Sequence, residues 1–233
     1  MRILAIGAHP DDVEIYCGGT LAKFRERKDS VVMAYVCQGD KGGISTGKIK
    51  LSEIRKKEAE EAARIIGAKS ISLNFKDSEI FSTMEIRKAV IDLIRMTKPE
   101  LIITHSPFDY HSDHRITGQV VTDATYIASS QGFKTKNPPL SYIPVVYYMD
   151  TFAGINFQPT EYVDISEFIE KKIEMIKCHK SQQYHLEKRG KIDIIEMVRD
   201  MAKFRGWQSG VRYAEGFKVC DMWPNFKTRR ILP

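Results

Sequence analysis

Cysteine is scarce in this sequence, and no long hydrophobic run occurs in it. The four cysteines are widely separated and form no CxxC pair, so the pattern excludes a disulfide-dense scaffold and predicts free thiols in a reducing compartment. The apolar run from Ile3 to Ala8 is far shorter than the roughly 18 apolar residues that indicate a membrane span. We therefore expect a cytoplasmic protein without a membrane partner.

A charge imbalance that would indicate nucleic acid binding is also missing. The net charge is +6, but basic residues alternate with acidic ones in segments such as KKEAEEAAR and EKKIEMIK. This mixture is typical of solvated helix faces, and no basic stripe with stacking aromatic residues accompanies it. The composition argues against a nucleic acid partner and is compatible with a small acidic substrate.

The sequence does contain a regular alternation of strand and helix patterns. Short apolar segments predict strands at 2–8, 31–37, 70–75 and 101–105. Helical patterns separate them, and one of these runs from Ser52, a suitable N-cap, to Ile66. The second half is less regular, with a helix near 114–130, strand candidates at 144–149 and 161–165, and helices near 166–180 and 191–205.

This alternation predicts the fold class. Successive βαβ units give an α/β, Rossmann-like fold, in which a mostly parallel sheet is flanked by helices on both faces. A chain of 233 residues without an internal repeat or a clear linker is expected to form a single domain over residues 1–233. Ligands bind beyond the carboxyl ends of the strands in such sheets, so functional residues are expected there.

Histidines gather at two of these strand ends. Of only six histidines in the chain, His9 follows the first strand within HPDD, and His105, His111 and His114 follow the fourth within HSPFDYHSDH. Imidazole nitrogen and carboxylate oxygen are ligands of zinc and similar ions, and a catalytic site typically has three protein ligands and an open position for water. The two motifs together predict one metal site.

The residue pattern alone leaves the division of roles open. His9, one of the adjacent Asp11 and Asp12, and one histidine of HSDH would complete the ligand set. Neighbouring side chains of an extended backbone point to opposite sides, so one aspartate can bind the ion while the other accepts a proton from the bound water. Spacing does not decide which aspartate or which histidine takes each role.

A family resemblance narrows these choices. The motif AHPDDVE followed by HSDHRITG, in this order of strands and helices, resembles the LmbE/PIG-L family of zinc-dependent N-acetyl sugar deacetylases. The segments RKKEAEEAARIIGA, HKSQ and VRYAEGF are similar to the bacterial branch that includes the bacillithiol-pathway deacetylases, so the likeness covers nearly the whole chain. Ser112 departs from the pattern, because the family usually has proline in HPDH; this loosens the loop but removes no functional group.

The resemblance implies a role for each matching residue. One zinc ion per chain is expected, with Fe²⁺ or another divalent metal as a compatible substitute. The implied roles are metal ligand for His9, Asp12 and His114, general base for Asp11, oxyanion stabiliser or acid for His111 held by Asp113, substrate binding for Arg55, and supporting acid for Glu14. The remaining histidines, His105, His179 and His185, are interpreted as structural or exposed.

The implied reaction removes the N-acetyl group from an N-acetylglucosamine-type sugar or sugar conjugate, by attack of a zinc-bound water on the linear amide. One alternative is a metal-dependent phosphoesterase, which needs two ions and more bridging carboxylates, and another is a non-catalytic metal- or carbohydrate-binding protein. The resemblance also implies a homo-oligomer. The segment QGDKGGISTGK at 38–48 predicts a loop beside the site, either a lid or an ordinary flexible connection.

Overall fold

The fold is built on a sheet of seven strands. The computed structural model describes residues 1–42 and 48–222, without the side chains of residues 48–50 and 189. The strands are β1 (Arg2–Gly7), β2 (Ser30–Cys37), β3 (Lys69–Phe75), β4 (Leu101–Thr104), β5 (Val145–Met149), β6 (Glu161–Asp164) and β7 (Ala214–Val219). Their spatial order is β3-β2-β1-β4-β5-β7-β6, and every pairing from β3 to β5 is parallel.

Helices cover both faces of this sheet. They are α1 (Asp12–Glu26), α2 (Lys48–Ile65), α3 (Met84–Thr97), α4 (Ser112–Ile127), α5 (Ile169–Lys177), α6 (Lys180–Gly190) and α7 (Ile194–Ser209). The first two helices and α5 and α7 contribute to one buried cluster, while α3 and α4 contribute to another on the opposite face. No helix in the described part of the chain is long and apolar enough to cross a membrane. The predicted Rossmann-like fold is confirmed, and the single domain over 1–233 stays a prediction.

Strand β1 shows how one segment supplies both sides of the core. Ile3 and Ala5 belong to one buried cluster, and Leu4 and Ile6 belong to the other. Successive side chains of a strand point to opposite faces, so a continuous apolar run fits a strand that is covered on both. All four side chains are at most 2% exposed. This burial anchors the start of the loop that carries HPDD.

The order of the strands brings the two histidine motifs together. The order reverses at β1, with β2 and β3 on one side and β4 and β5 on the other. Parallel pairing aligns Ile6 of β1 with Thr104 of β4, so the chain leaves both strands at the same edge of the sheet. Such a reversal is the topological switch point where α/β proteins bind ligands. His9 and the segment 105–114 emerge there side by side.

Strand β7 is, among the described strands, the one that the sequence pattern does not predict. It lies antiparallel between β5 and β6. Its Glu215 is buried 2.6 Å from the Lys172 ammonium and accepts hydrogen bonds from the N–H groups of Gly19 and Thr20 in α1. Helix α1 also packs closely against Ile165, and this packing requires glycine at position 19, because a Cβ there would lie 2.8 Å from the Ile165 side chain. Glu215 is buried because it pairs with a lysine 43 residues earlier in the sequence. No local sequence pattern indicates such a buried glutamate, so the strand is not predicted.

Candidate metal centre and its cavity

The side chains of His9, Asp12 and His114 converge beyond β1 and β4. Each offers a ligand atom within 4.8 Å of the other two. The Asp12 carboxylate lies between the rings, with Oδ2 at 3.5 Å from His9 Nδ1 and Oδ1 at 3.3 Å from His114 Nε2. Asp12 also accepts the N–H of His9 at 2.6 Å, which closes the turn between β1 and α1. This is a donor set that a divalent metal ion can bind.

Two further carboxylates contact the imidazoles of His114 and His9, one carboxylate for each ring, at the nitrogen that faces away from Asp12. Asp109 Oδ2 lies 3.0 Å from His114 Nδ1, and Asp113 Oδ2 lies 3.0 Å from His9 Nε2. Carboxylates in this position fix the tautomer of a histidine and direct its other nitrogen towards a metal. Asp109 is not among the predicted site residues, because only its position in space distinguishes it from an ordinary loop aspartate.

The charges of the cluster test whether it suits a metal ion. Burial acts to lower the pKa of both histidines, but the facing carboxylates outweigh it and raise the pKa of His9 well above its ordinary value and that of His114 to about 9. Burial would raise the pKa of Asp12, yet His114 and His105 hold it well below its usual range. The carboxylates thus draw positive charge onto the imidazoles. A divalent cation supplies such charge at the same nitrogen atoms, so the residues fit a metal.

Asp113 contacts a different histidine from the one that the resemblance implies. Its carboxylate binds His9 and accepts the N–H of Ser78 at 2.8 Å, whereas only its backbone N–H reaches His111, donating to Nδ1 at 3.3 Å. The expectation that the Asp113 side chain holds His111 is therefore wrong. Because Nδ1 accepts, the neutral His111 ring carries its proton on Nε2. Burial and the neighbouring His114 lower the pKa of His111, which favours this neutral form.

Asp11 has a strained backbone at the start of α1. Its φ is 127°, and its side chain makes no capping hydrogen bond to the helix. Positive φ is costly for a residue other than glycine, and strain of this kind gathers at functional sites. The side chain is 3% exposed and lines the cavity described below. Burial and the adjacent Asp12 raise the pKa of Asp11 to about 7, which suits a proton acceptor near neutral pH.

A cavity of about 450 Å³ opens in front of these residues. Six of the eight predicted site residues line it: His9, Asp11, Asp12, Arg55, His111 and His114. The other two, Glu14 and Asp113, lie behind the wall and contact residues that form it or support it. The volume exceeds what an acetamide group needs, so the cavity has room for a larger substrate.

Arg55 is buried at the edge of the cavity. Its side chain is 2% exposed, and it donates to the carbonyl of Gly42 at 3.0 Å and to the amide oxygen of Gln182. Its Nε has no hydrogen-bond partner among the described residues. Gln182 belongs to the segment HKSQ, so this segment positions the arginine from a site far away in the sequence.

Glu14 is fully buried beneath the metal loop. Its Oε1 lies 2.8 Å from His179 Nε2 and accepts the hydroxyl of Tyr35 at 2.9 Å. Burial opposes protonation of His179, but Glu14 outweighs it and raises the pKa of this histidine. Two residues on, Ser181 donates to Glu58 of α2 through its N–H and its hydroxyl. HKSQ therefore connects α1 and α2, and the structural interpretation of His179 agrees with its burial.

His105 forms the base of the metal centre. Its ring stacks on that of His114 with centroids 3.9 Å apart, and its Nε2 accepts the N–H of Ala8 at 3.0 Å. Burial and the neighbouring His114 lower the pKa of His105 to about 4, so the ring is neutral. This placement agrees with the interpretation of His105 as a structural residue.

The described part of the predicted loop at 38–48 is held against β3. Asp77 accepts the N–H groups of Gly39 and Lys41 at 2.8 and 3.1 Å, and its own N–H donates to Asp40 at 2.9 Å. These bonds place Lys41 in the cavity wall. Residues 43–47 lie outside the described residues, so a lid function of this segment stays a prediction.

The fold and the donor set together define a class, an α/β protein with a candidate metal centre of histidine and aspartate at the topological switch point. Residues 4–125 match the model of the family described as PIG-L: GlcNAc-PI de-N-acetylase. The chain therefore belongs to this family, as the sequence resemblance implies.

Individual relatives carry more specific names. A diacetylchitobiose deacetylase of Thermococcus kodakarensis is 30% identical, over 93% of this chain and 82% of that protein. The crystal structure of an N,N'-diacetylchitobiose deacetylase from Pyrococcus horikoshii is 29% identical, with a TM-score of 0.83, over 94% of this chain and 83% of that one. A 4-oxalmesaconate hydratase of Pseudomonas putida is 25% identical, over 78% of this chain and 74% of that protein. Relatives of this chain thus include deacetylases and a hydratase.

Proposed function

We propose that this protein is a metal-dependent hydrolase that removes the N-acetyl group from an N-acetylglucosamine-type sugar or sugar conjugate. Its family and its 30% identity to a diacetylchitobiose deacetylase support this reaction over the hydration that one relative is named for. The observation that carries the proposal is that Asp11 and His111 line the same cavity as the metal donor set. Hydrolysis of an amide requires a base for the water and a hydrogen-bond donor for the carbonyl oxygen.

Zinc is the metal that we propose, with one ion per chain held by His9, Asp12 and His114. Two imidazoles and one carboxylate are a ligand set of catalytic zinc sites, and iron or another divalent metal fits the same donors. When bound, the ion polarises the carbonyl and lowers the pKa of a water molecule. Asp109 and Asp113 keep the two imidazoles oriented for binding.

Asp11 and His111 are the proposed catalytic residues. Asp11 takes a proton from the attacking water as the water oxygen bonds to the amide carbon. The Nε2–H of His111 donates a hydrogen bond to the carbonyl oxygen, whose negative charge grows during the attack. When the C–N bond breaks, the proton on Asp11 passes to the nitrogen, and acetate and a free amine leave.

Arg55 is the proposed substrate-binding residue. Among the described residues its Nε is a buried donor without a partner, and such a donor destabilises a protein unless a ligand or water pairs with it. A sugar hydroxyl or an acidic group of a conjugate can accept this hydrogen bond. Glu14 supports the site indirectly, since its contact with His179 fixes the segment that carries Gln182 against Arg55.

The alternatives differ from this proposal in metal content and in the need for a base. Among the described residues, four groups of side chains can hold an ion, and each of them includes His9 or His114. Filling the set that contains Asp12 removes a member from every other group, which disfavours the two ions of a phosphoesterase. Binding alone would not require a strained carboxylate such as Asp11 beside the metal donors, which disfavours a non-catalytic binding protein. The homo-oligomer stays a prediction, which light scattering in solution would test.

Replacing the proposed base tests the function. The substitution Asp11→Asn keeps the shape of the side chain but removes its ability to accept a proton, so we expect kcat to fall by about 10²- to 10⁴-fold. Zinc content, measured by elemental analysis, should stay near one ion per chain. The substrates are N-acetylglucosamine, its malate conjugate and diacetylchitobiose, and the released amine is measured with and without chelator.

A matched control is Asp123→Asn, which changes an exposed carboxylate paired with Arg87. It should leave turnover unchanged. Near wild-type turnover by the Asp11 variant would show that the base is wrongly assigned. Failure of the zinc-loaded wild type to release amine from any of the three substrates would refute the deacetylase function.

A further inference from the structure

The cavity is lined by both polar and apolar side chains. Polar groups come from the loops after β2 and β3 and from α2, including Lys41, Ser78 and Arg55. Four largely apolar side chains line both this cavity and a second, smaller one, and we name them the acyl wall: Ile15, Tyr16, Phe152 and Met197. Ile15 and Met197 pack on one apolar cluster between α5 and α7, which holds this part of the wall in place.

The acyl wall lies directly beside the metal centre. Tyr16 is one helical turn after Asp12, on the same face of α1, and its ring centroid is 6.1 Å from that of His114. At the other end, the ring of Phe152 lies 6.4 Å from that of Tyr110, which in turn lies 6.2 Å from His111. Tyr16 therefore lies next to a proposed metal ligand, and Phe152 is linked to the proposed oxyanion donor through the ring of Tyr110.

A second, small chamber lies behind the wall. Its volume is about 30 Å³, and all four residues of the acyl wall line it as well as the main cavity. Room of this size holds about two water molecules or one to two methylene groups. Two buried ion pairs, Lys172–Glu215 at 2.6 Å and Arg205–Asp150 at 2.6 Å, also line the chamber. Because the members of each pair satisfy one another's charge, these residues do not require a charged ligand in the chamber.

The two substituents of the amide carbonyl match the two kinds of side chain that line the cavity. The nitrogen carries a sugar whose hydroxyl groups require hydrogen bonds, and the polar side chains supply donors and acceptors for them. The carbon carries a methyl group, whose burial against apolar side chains is favourable in free energy. The methyl group makes no hydrogen bonds to water, so none are lost when water is removed. The carbonyl carbon itself lies between Asp11 and His111 during attack, so the apolar side chains remain for the methyl group.

We propose that the acyl wall receives the acyl group of the substrate and that the chamber behind it sets the longest acyl chain that the enzyme hydrolyses. This inference rests on the proposed deacetylase function. Acetyl fits in front of the wall, and propionyl requires a shift of Met197 or Phe152 towards the chamber. Butyryl and longer chains meet the ion pairs and are rejected.

A series of N-acyl glucosamines with acetyl, propionyl, butyryl and hexanoyl groups tests the proposal. Released amine is measured with the zinc-loaded protein, and the butyryl-to-acetyl ratio of kcat/KM is compared between variants. One methylene group in a hydrophobic pocket changes such a ratio by about 10- to 200-fold. Met197→Ala joins the cavity and the chamber, so we expect the ratio to rise about tenfold or more.

Leu186→Ala is the matched control, because Leu186 lines the main cavity but not the chamber. It should change the ratio by less than about twofold, within the effect of small rearrangements of a pocket. Phe152→Ala is a second variant of the wall, at a half-buried position in a surface turn, and it should raise the ratio even if Met197→Ala fails to fold.

The outcomes separate this inference from the proposed function. Acetyl hydrolysis by both wall variants with an unchanged ratio would overturn the acyl wall alone. An equal rise of the butyryl-to-acetyl ratio in the Leu186 variant would also overturn the inference, because the selectivity would then not depend on the acyl wall. No amine from any acyl substrate with the wild type would overturn the deacetylase function and the inference with it.

Discussion

Asp109 offers the sharpest test of how the metal centre is built. Its two oxygens have different tasks, since Oδ1 accepts the N–H of His111 at 2.8 Å and Oδ2 lies 3.0 Å from His114 Nδ1. In Asp109→Asn only one of these atoms remains an acceptor. If the oxygen stays on the His111 N–H, the amide NH₂ faces His114 and forces its proton onto Nε2, the nitrogen that must bind the metal. If the amide flips, the N–H of His111 loses its partner.

Either arrangement weakens metal binding. Loss of a residue that orients a metal ligand costs about 10- to 100-fold in affinity, which equals about 1.4 to 2.8 kcal/mol. Both residues that Asp109 holds are buried or half-buried, so water does not readily reach them while an asparagine side chain fills the same space. We expect Asp109→Asn to fall in the upper part of this range. Asp109→Ala should lose less, because the space it leaves admits a water that can accept the His114 proton.

Competition with a chromophoric chelator measures the zinc affinity of each variant, and Asp123→Asn again serves as an isosteric control on an exposed carboxylate. Circular dichroism checks that the fold is retained. A zinc affinity of the Asn variant within about twofold of wild type would refute the orienting role of Asp109. Loss of affinity with an intact fold would support it.

Two other predictions concern stability. Arg95 is 1% exposed and donates to carbonyls that follow α4, including those of Ala128, Ser130 and Phe133. Arg95→Met leaves these acceptors unpaired and should cost about 3 kcal/mol, so that Tm in calorimetry falls by about 6–12 °C, with Arg95→Lys falling less. Glu14 raises the pKa of His179 above 6.5, so this contact stabilises the fold fully below that pH and is lost as pH rises through the folded value. Urea unfolding across neutral pH should show this decline in the wild type and a flatter profile in His179→Gln; equal slopes would contradict it.

Local patterns predict the parallel half of the fold well. The five strands β1 to β5 lie within one residue of their predicted bounds at either end, because the apolar runs of a sheet covered on both faces are visible in the sequence itself. The predicted bounds of β6 are equally close, although it is an antiparallel strand. The helix predicted near 166–180 corresponds to α5, which spans Ile169–Lys177, whereas α6, which begins at Lys180, is not predicted. His179, which lies between the two helices, contacts Glu14, and no local pattern reports this contact.

In the site, too, local motifs are visible in the sequence and contacts between distant segments are not. The motifs HPDD and HSDH carry the residues that meet at the switch point, because strand order alone brings them together. Partners that act across the fold are not visible in this way: Asp109 behind His114, Asp113 behind His9, and Glu215 against α1 are identified only by distance. The mistaken partner of Asp113 has this cause, since its neighbour in sequence is not its neighbour in the folded chain.

The insertion of β7 between β5 and β6 has a consequence for the order of assembly during synthesis. Strands β5 and β6 are made first, yet neither can pair with the other in the native sheet, because the place between them belongs to residues 214–219. The HKSQ segment and Glu215, which fix α1 and α2, are also made late. A ribosome-bound chain therefore carries both histidine motifs well before residues 214–219, which complete the described sheet, have emerged from the exit tunnel.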